Sequence, residues 1–231
     1  MGPAETVWVA ELQPHIANAP ASIKTRTEFP WVSDISFTRT VLLSDYRVLR
    51  FTIGIMAETN DPRYPIGKFT PPELISTEDR RYAIVTIAEM PELLREALRD
   101  LDAEQMSSPY REGGWTVRQL VHHIADSHMT AFHRLRKALT EDWPVVTGYD
   151  EKAFAMLADI TAPAEWSLEI IESVHARWVM LLQSLTEDQW HRGFKHQERG
   201  PMALDFATLL YAWHSQHHVA HITALRKRQG W

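Results

Sequence analysis

The chain of 231 residues contains no cysteine. Disulfides, thiolate metal sites and a cysteine nucleophile are therefore excluded, and a divalent-metal site has to be built from histidine and carboxylate. Glycine is scarce, with 9 residues, and no phosphate-cradling glycine loop, G-x-S-x-G elbow or H-E-x-x-H zinc-protease helix occurs. Basic residues are outnumbered, 24 against 30, for a net charge of −6. That balance argues against a nucleic-acid partner, which requires a basic face. No apolar run is long enough to span a bilayer, so no membrane role is expected. The opening "MGPAETVWVAELQPH" lacks the basic and apolar regions of a secretory signal. The expectation is a cytoplasmic globular protein.

What is present divides into two unequal parts. Residues 1–55 keep neither a helical nor a strand period, and Pro14, Pro20 and Pro30 interrupt them. This stretch is read as an irregular N-terminal extension: either a poorly ordered, non-catalytic tail or a start-site artefact, with Met56 as the true initiator. Residues 56–231 form the folded domain. An extended, proline-punctuated lead-in comes first, "MAETNDPRYPIGKFTPPE", and helical patterns follow.

The first helix, "STEDRRYAIVTIAEMPELLREALRDLD", opens on Ser76 or Thr77 as N-cap with acidic residues in the next turn. Pro91 lacks an amide donor and is expected to kink or restart it. A second helix starts at Thr116, after the Gly113-Gly114 turn. Val117, Leu120, Val121, Ile124, His128, Ala131, Leu135 and Ala138 keep the three-four spacing of one buried face. "YDEKAFAML" gives a short extra helix, and Pro163 opens a third long one. The last runs to basic residues and Gly230, as a helix C-terminus should. Nothing alternates long enough to demand a sheet. The fold class is all-α, an antiparallel four-helix bundle, and the long links at 141–150 and 186–203 permit a non-sequential helix order.

Of 12 histidines, four fall in "YAWHSQHHVAHI". Residues four apart on a helix lie about 40° apart around its axis and one turn along it, so two imidazoles can converge. His214 with His218 meets this condition, and so does His217 with His221. The inward stripe through Ala207, Leu210, His214, His218, His221 and Leu225 favours the first pair, with His221 close behind and His217 to the side. A third ligand must come from another helix, and "VHHIADSH" offers His122, His123 and His128. His123 borders the apolar stripe. His128 lies in line with the core, where a buried, hydrogen-bonded imidazole is expected, and His122 shares a turn with Asp126. "ESVH", Glu172 to His175, is a single Glu-x-x-His and cannot by itself make a di-iron centre. Trp178 and Trp213 are read as core residues.

The stretches "YREGGWTVRQLVHHIADSHM" and "YAWHSQHHVAHITALRKRQGW" strongly resemble the YfiT-like branch of the DinB superfamily. "YPIGKF", "YDEKAF" and "HARW" add to the match, which runs from about residue 60 to the C-terminus. The resemblance implies a four-helix bundle holding one divalent metal per chain, zinc first and nickel second, on three histidines. The ligand eight residues after the motif tryptophan is His123 here, after Trp115, and the His-x-x-x-His pair of the last helix is His214 and His218. The resemblance also implies a homodimer, and a metal-dependent hydrolase or an S-transferase using a low-molecular-weight thiol such as bacillithiol. His221 occupies a position often taken by Gln in the family.

Three imidazoles leave a divalent metal an open position, which suits hydrolysis of a small-molecule substrate or thiol transfer to an electrophile. A fourth protein ligand, with His221 the candidate, would instead make a non-catalytic clip. Candidate helpers are Asp126, Gln119 and His221, with Ser215 a further residue able to orient an imidazole. Arg111 or Arg177 would suit an acidic cosubstrate.

Overall fold

A computed structural model describes residues 61–231. The readings made above on residues 1–55 and on Met56 lie outside the described residues. Four long helices carry the fold: α1 (Thr77–Leu98), α3 (Val117–Thr140), α5 (Ala164–Gln183) and α7 (Leu204–Gln229). Shorter pieces join them: α2 (Ala103–Met106), α4 (Glu151–Phe154), a 3₁₀ turn at Ala158–Thr161 and α6 (Glu187–Trp190).

The helix starts follow from local chemistry. The Ser76 hydroxyl accepts from the Asp79 amide and the Asp79 carboxylate accepts from the Ser76 amide, a reciprocal cap. Thr116 and Gln119 repeat the arrangement at α3. At the far end of α7, Gly230 takes the left-handed conformation at φ 72°, where a side chain would be strained.

Pro91 does not break α1. The helix runs through it, because the carbonyl that Pro91 leaves without a partner, that of Ile87, accepts instead from Nδ1 of His175 at 2.6 Å. The ordinary cost of an internal proline, an orphaned carbonyl four residues back, is thus met by a side chain from another helix.

Among the long helices α1 packs on α7 and α5, and α3 packs on α5 and α7. Helices α1 and α3, which follow one another in the chain, therefore stand across the bundle from each other. The order is non-sequential, as the long links allow.

The expectation of no sheet is corrected. Val145–Val146 (β1) pairs parallel with Gly193–His196 (β2), which pairs antiparallel with Gly200–Ala203 (β3). Strands of two to four residues are too short to show a period, but they bury Val146, Phe194 and Met202 against the helices. A Cβ at Gly193 would collide with the Met202 carbonyl oxygen and lie 2.7 Å from the Trp143 ring. Gly193→Ala is expected to lower unfolding stability by about 3 kcal/mol, the cost of overpacking against a backbone that cannot yield. Chemical denaturation measures it, and an unchanged midpoint would mean the hairpin moves freely.

The apolar core has two parts. One surrounds Ile87, Leu135, Trp178 and Leu204; the other surrounds Met90, Leu120, Ile124, Ile171 and Ile222. Along every long helix the break between them falls at the same level, and on α3, α5 and α7 that level is filled by buried or half-buried histidines.

Candidate metal centre

The histidine layer is built by three helices. His123 and His128 come from α3, His175 from α5, and His214, His217, His218 and His221 from α7. The i,i+4 geometry acts as the spacing demands. Nε2 of His214 and Nε2 of His218 lie 3.0 Å apart, and Nε2 of His217 and Nε2 of His221 also lie 3.0 Å apart. His123 reaches across from α3, with ring centroids 5.6 Å from His214 and 5.0 Å from His218. Ligand atoms of His123, His214 and His218 fall within 4.8 Å of one another. No further histidine or carboxylate joins this group among the described residues. A second group, His217, His218 and His221, meets the same limit and shares His218.

Three imidazoles without thiolate are a donor set for a borderline divalent ion such as zinc or nickel. The protonation states agree with that use. Burial pushes His123 down to about 4, and holds His214 and His218 well below the ordinary histidine value, with neighbouring imidazoles adding to the effect. Neutral rings with a free lone pair are what a metal needs. Nδ1 of His218 is buried without a hydrogen-bond partner among the described residues, an unsatisfied donor or acceptor that a closed hydrophobic core would not tolerate.

The other residues singled out from sequence fall as follows. His128 is fully buried and hydrogen-bonded, as expected. Its partners are two more histidines: Nδ1 lies 2.7 Å from Nε2 of His175 and Nε2 lies 3.0 Å from Nδ1 of His214. His122 does not pair with Asp126. Its Nε2 donates to the Ala162 carbonyl, 3.2 Å, and its Nδ1 accepts from the Ser167 hydroxyl, 2.7 Å. Asp126 is half-buried one turn after His123, and burial together with Asp159 raises its carboxyl. Gln119 completes the α3 cap and donates to the Ala155 carbonyl, so its amide is committed to loop and helix structure. Ser215 donates to the Tyr211 carbonyl within its own helix. His221 bonds His217 and lies against the Tyr110 ring, 4.1 Å between centroids. It is not in the group containing His123. Arg177 lies over the Phe132 ring, while Arg111 is near enough to His221 to lower its pKa. Glu172 is engaged by Arg95 and His175 by Ile87, so the single Glu-x-x-His is spent on structure. Trp178 is a core residue; Trp213 is only half-buried and stacks on His217 at 4.5 Å.

Sequence reasoning missed two participants. The sequence offers for His175 only a single Glu-x-x-His and a place in the resemblance, with no role in the histidine layer, and it sets His217 to the side although that residue is buried. The lead-in explains the second case. Tyr64 lies 6.1 Å from the His217 ring and Phe69 6.0 Å from Trp213, so a segment without secondary structure covers that flank of α7.

The family profile of the DinB superfamily matches residues 86–222, and the chain belongs to that superfamily. It is 48% identical over 172 residues to a protein of Bacillus cereus named "Putative metal-dependent hydrolase", covering 74% of this chain and 99% of that one. A Bacillus anthracis protein of the same name matches at the same identity and coverage. Among solved structures it is similar to YfiT from Bacillus subtilis, described as "a probable metal-dependent hydrolase with an unusual four-helix bundle topology". The TM-score is 0.72 at 45% identity, over 74% of this chain and 98% of YfiT. No helix among the described residues is long and apolar enough to cross a membrane.

Proposed function

We propose that the chain is a metal-dependent hydrolase of a small-molecule substrate, with one divalent cation held by His123, His214 and His218. The observation that carries this reading is the convergence of three neutral imidazoles from two helices, with no fourth histidine or carboxylate in the group among the described residues. Three protein ligands are the pattern of catalytic sites, and four that of structural ones. The names of the relatives support the reading. When bound, zinc or nickel would supply Lewis acidity, bringing a ligand water toward a pKa of about 7 and polarising a substrate carbonyl.

The protein's own groups supply the rest. Buried neutral imidazoles present lone pairs over a wide pH range. Asp126 stands one turn from His123 on α3, a spacing that places side chains about 5–6 Å apart at Cβ. A carboxyl with a raised pKa at that distance is suited to hold a proton in transit. The Trp115 ring packs on His123 at 4.6 Å between centroids and holds that imidazole in place.

A second reading, thiol transfer to an electrophile, draws on Arg111 and Arg228, both of which act electrostatically on His221. Two guanidinium groups beside the histidine layer suit an acidic cosubstrate such as a carboxylated thiol. A homodimer and a cytoplasmic setting belong to the same proposal.

The test uses the full chain, stripped of metal with a chelator and reloaded with zinc or nickel. It is assayed on a panel of esters, amides and epoxides with and without an added thiol. About one metal per chain and metal-restored, thiol-independent turnover are expected. Turnover only with thiol would select the transferase. One metal per chain with no turnover on any substrate would make the histidines a clip and overturn the enzyme.

A further inference from the structure

The metal reading uses His123, His214 and His218 and leaves His128 and His175 unexplained, although both are fully buried. Their contacts form one chain that starts at Pro91. Lacking an N–H, Pro91 frees the Ile87 carbonyl. Nδ1 of His175 lies 2.6 Å from that oxygen, and a carbonyl can only accept, so this nitrogen carries the proton. In a neutral ring Nε2 of His175 is then an acceptor, and Nδ1 of His128, 2.7 Å away, must be the donor. The same logic makes Nε2 of His128 an acceptor and Nδ1 of His214, 3.0 Å away, a donor. Nε2 of His214 is left as a bare lone pair facing Nε2 of His218 at 3.0 Å.

We propose that Pro91, Ile87, His175 and His128 form a tautomer-setting relay whose output is the Nδ1–H form of His214, with Nε2 preorganised as a metal ligand. It rests on the metal reading only for its purpose, since the proton assignment holds in the metal-free chain. His128 and His175 are positioning residues. Outer partners that fix imidazole tautomers are a general device of metal sites; here the terminal acceptor is a backbone carbonyl released by a proline about four helical turns into α1.

The relay also distinguishes the two histidine pairs. Among the described residues no such chain fixes His217 and His221, whose bond to each other can run either way, and Nδ1 of His217 has no partner there. His218 is asymmetric to His214. In the metal-free chain its Nε2 must donate to the bare Nε2 of His214, leaving Nδ1 the buried, unpartnered acceptor. A metal entering between the two nitrogens requires His218 to move its proton to Nδ1, while His214 keeps its tautomer.

The experiment is a long-range ¹H–¹⁵N spectrum of the ¹⁵N-histidine-labelled full chain, metal-free and then titrated with zinc, with zinc affinity measured in parallel. The metal-free chain is expected to show His175, His128 and His214 as Nδ1–H and His218 as Nε2–H, with zinc converting only His218. His128→Leu removes the acceptor facing His214; a mixed His214 tautomer and a 10–100-fold weaker zinc affinity are expected. His128→Gln restores an acceptor there and is expected to recover most of the affinity. Finding His214 as Nε2–H in the metal-free wild type overturns the relay, whether or not any variant folds. So does a folded His128→Leu chain that keeps both tautomer and affinity. If zinc fails to bind while the tautomers are as assigned, the metal reading fails and the relay stands.

Discussion

Replacing His214 by alanine is expected to weaken zinc binding a few hundred-fold, while replacing His217 or His221 leaves it essentially unchanged. The comparison matters because the two histidine groups on α7 share His218, so loss of metal in a His218 variant fits either. His214 and His123 belong to one group only, and His217 and His221 to the other. The magnitude follows from the worth of a zinc site. Four-ligand structural zinc is bound with roughly 10–16 kcal/mol, so one ligand carries about 3–4 kcal/mol, between two and three decades in affinity. His214 stands at the upper end because its lone pair is already aimed, whereas His218 has a proton to move. Competition against a chromophoric chelator measures the dissociation constant, and circular dichroism checks that helix content is kept. A reversed pattern would move the metal to the group without His123 and remove the link between α3 and α7.

How much of this was open to inspection in the sequence depends on the length scale of each signal. The long helices announce themselves through spacing on α3 and through caps at Ser76 and Thr116, because both act within a few residues. The His-x-x-x-His geometry is equally local, and the convergence at 3.0 Å is what a helical turn dictates. Spacing could not choose between the two pairs, since both converge to the same distance. The resemblance made the choice, and it also nominated His123, 91 positions before His214 in the chain. The strands were lost because two to four residues hold too few repeats of a two-residue alternation to stand out.

Pro91 shows a different kind of limit. The sequence states the physical problem correctly, a carbonyl deprived of its donor, with a kink or a restart as the expectation, and the helix does not restart. The chain instead supplies His175, a residue whose own neighbourhood, "ESVH", points elsewhere. Only the packing of α1 on α5 brings the two together. Asp126 and Gln119 illustrate the converse. Both lie on the same helix as His123, but Gln119 is consumed by the cap and the Ala155 carbonyl, while the raised carboxyl of Asp126 comes from its burial and then from Asp159, which spacing on one helix does not reveal.

Metal-free protein is expected to unfold as the pH falls from 7 to about 5, and zinc is expected to delay that transition. The cause is the histidine layer. Burial lowers His123, His175 and His217 from the ordinary 6.5 to about 4, and His221 to about 3. These groups take up a proton in the unfolded chain near pH 6.5 but in the native chain only near 4 or below. Their folded pKa values are depressed, so stability is complete above the unfolded value and is lost as the pH drops toward the folded ones. Between pH 7 and pH 5 each such group contributes a loss of about 2 kcal/mol. Four together approach the whole stability of a domain, roughly 5–15 kcal/mol. His128, His214 and His218 shift in the same direction and steepen the fall. Asp126 acts oppositely, since its raised pKa means that acid relieves the native state, but it is one group against seven. The carboxylates held low by arginine, Glu165 and Glu187, release their contribution only below about 4.5, outside the window. Zinc at a thousand times its dissociation constant adds about 4 kcal/mol, and because the folded imidazoles keep their lone pairs free down to about pH 4, its protection holds from pH 7 to pH 5 and fades only below that window. Thermal melts at half-unit pH steps, with chelator and with zinc, measure both effects. A melting temperature flat from pH 7 to pH 5 without metal would show that the layer takes up protons in the folded chain, and the neutral, metal-ready imidazoles would have to be abandoned.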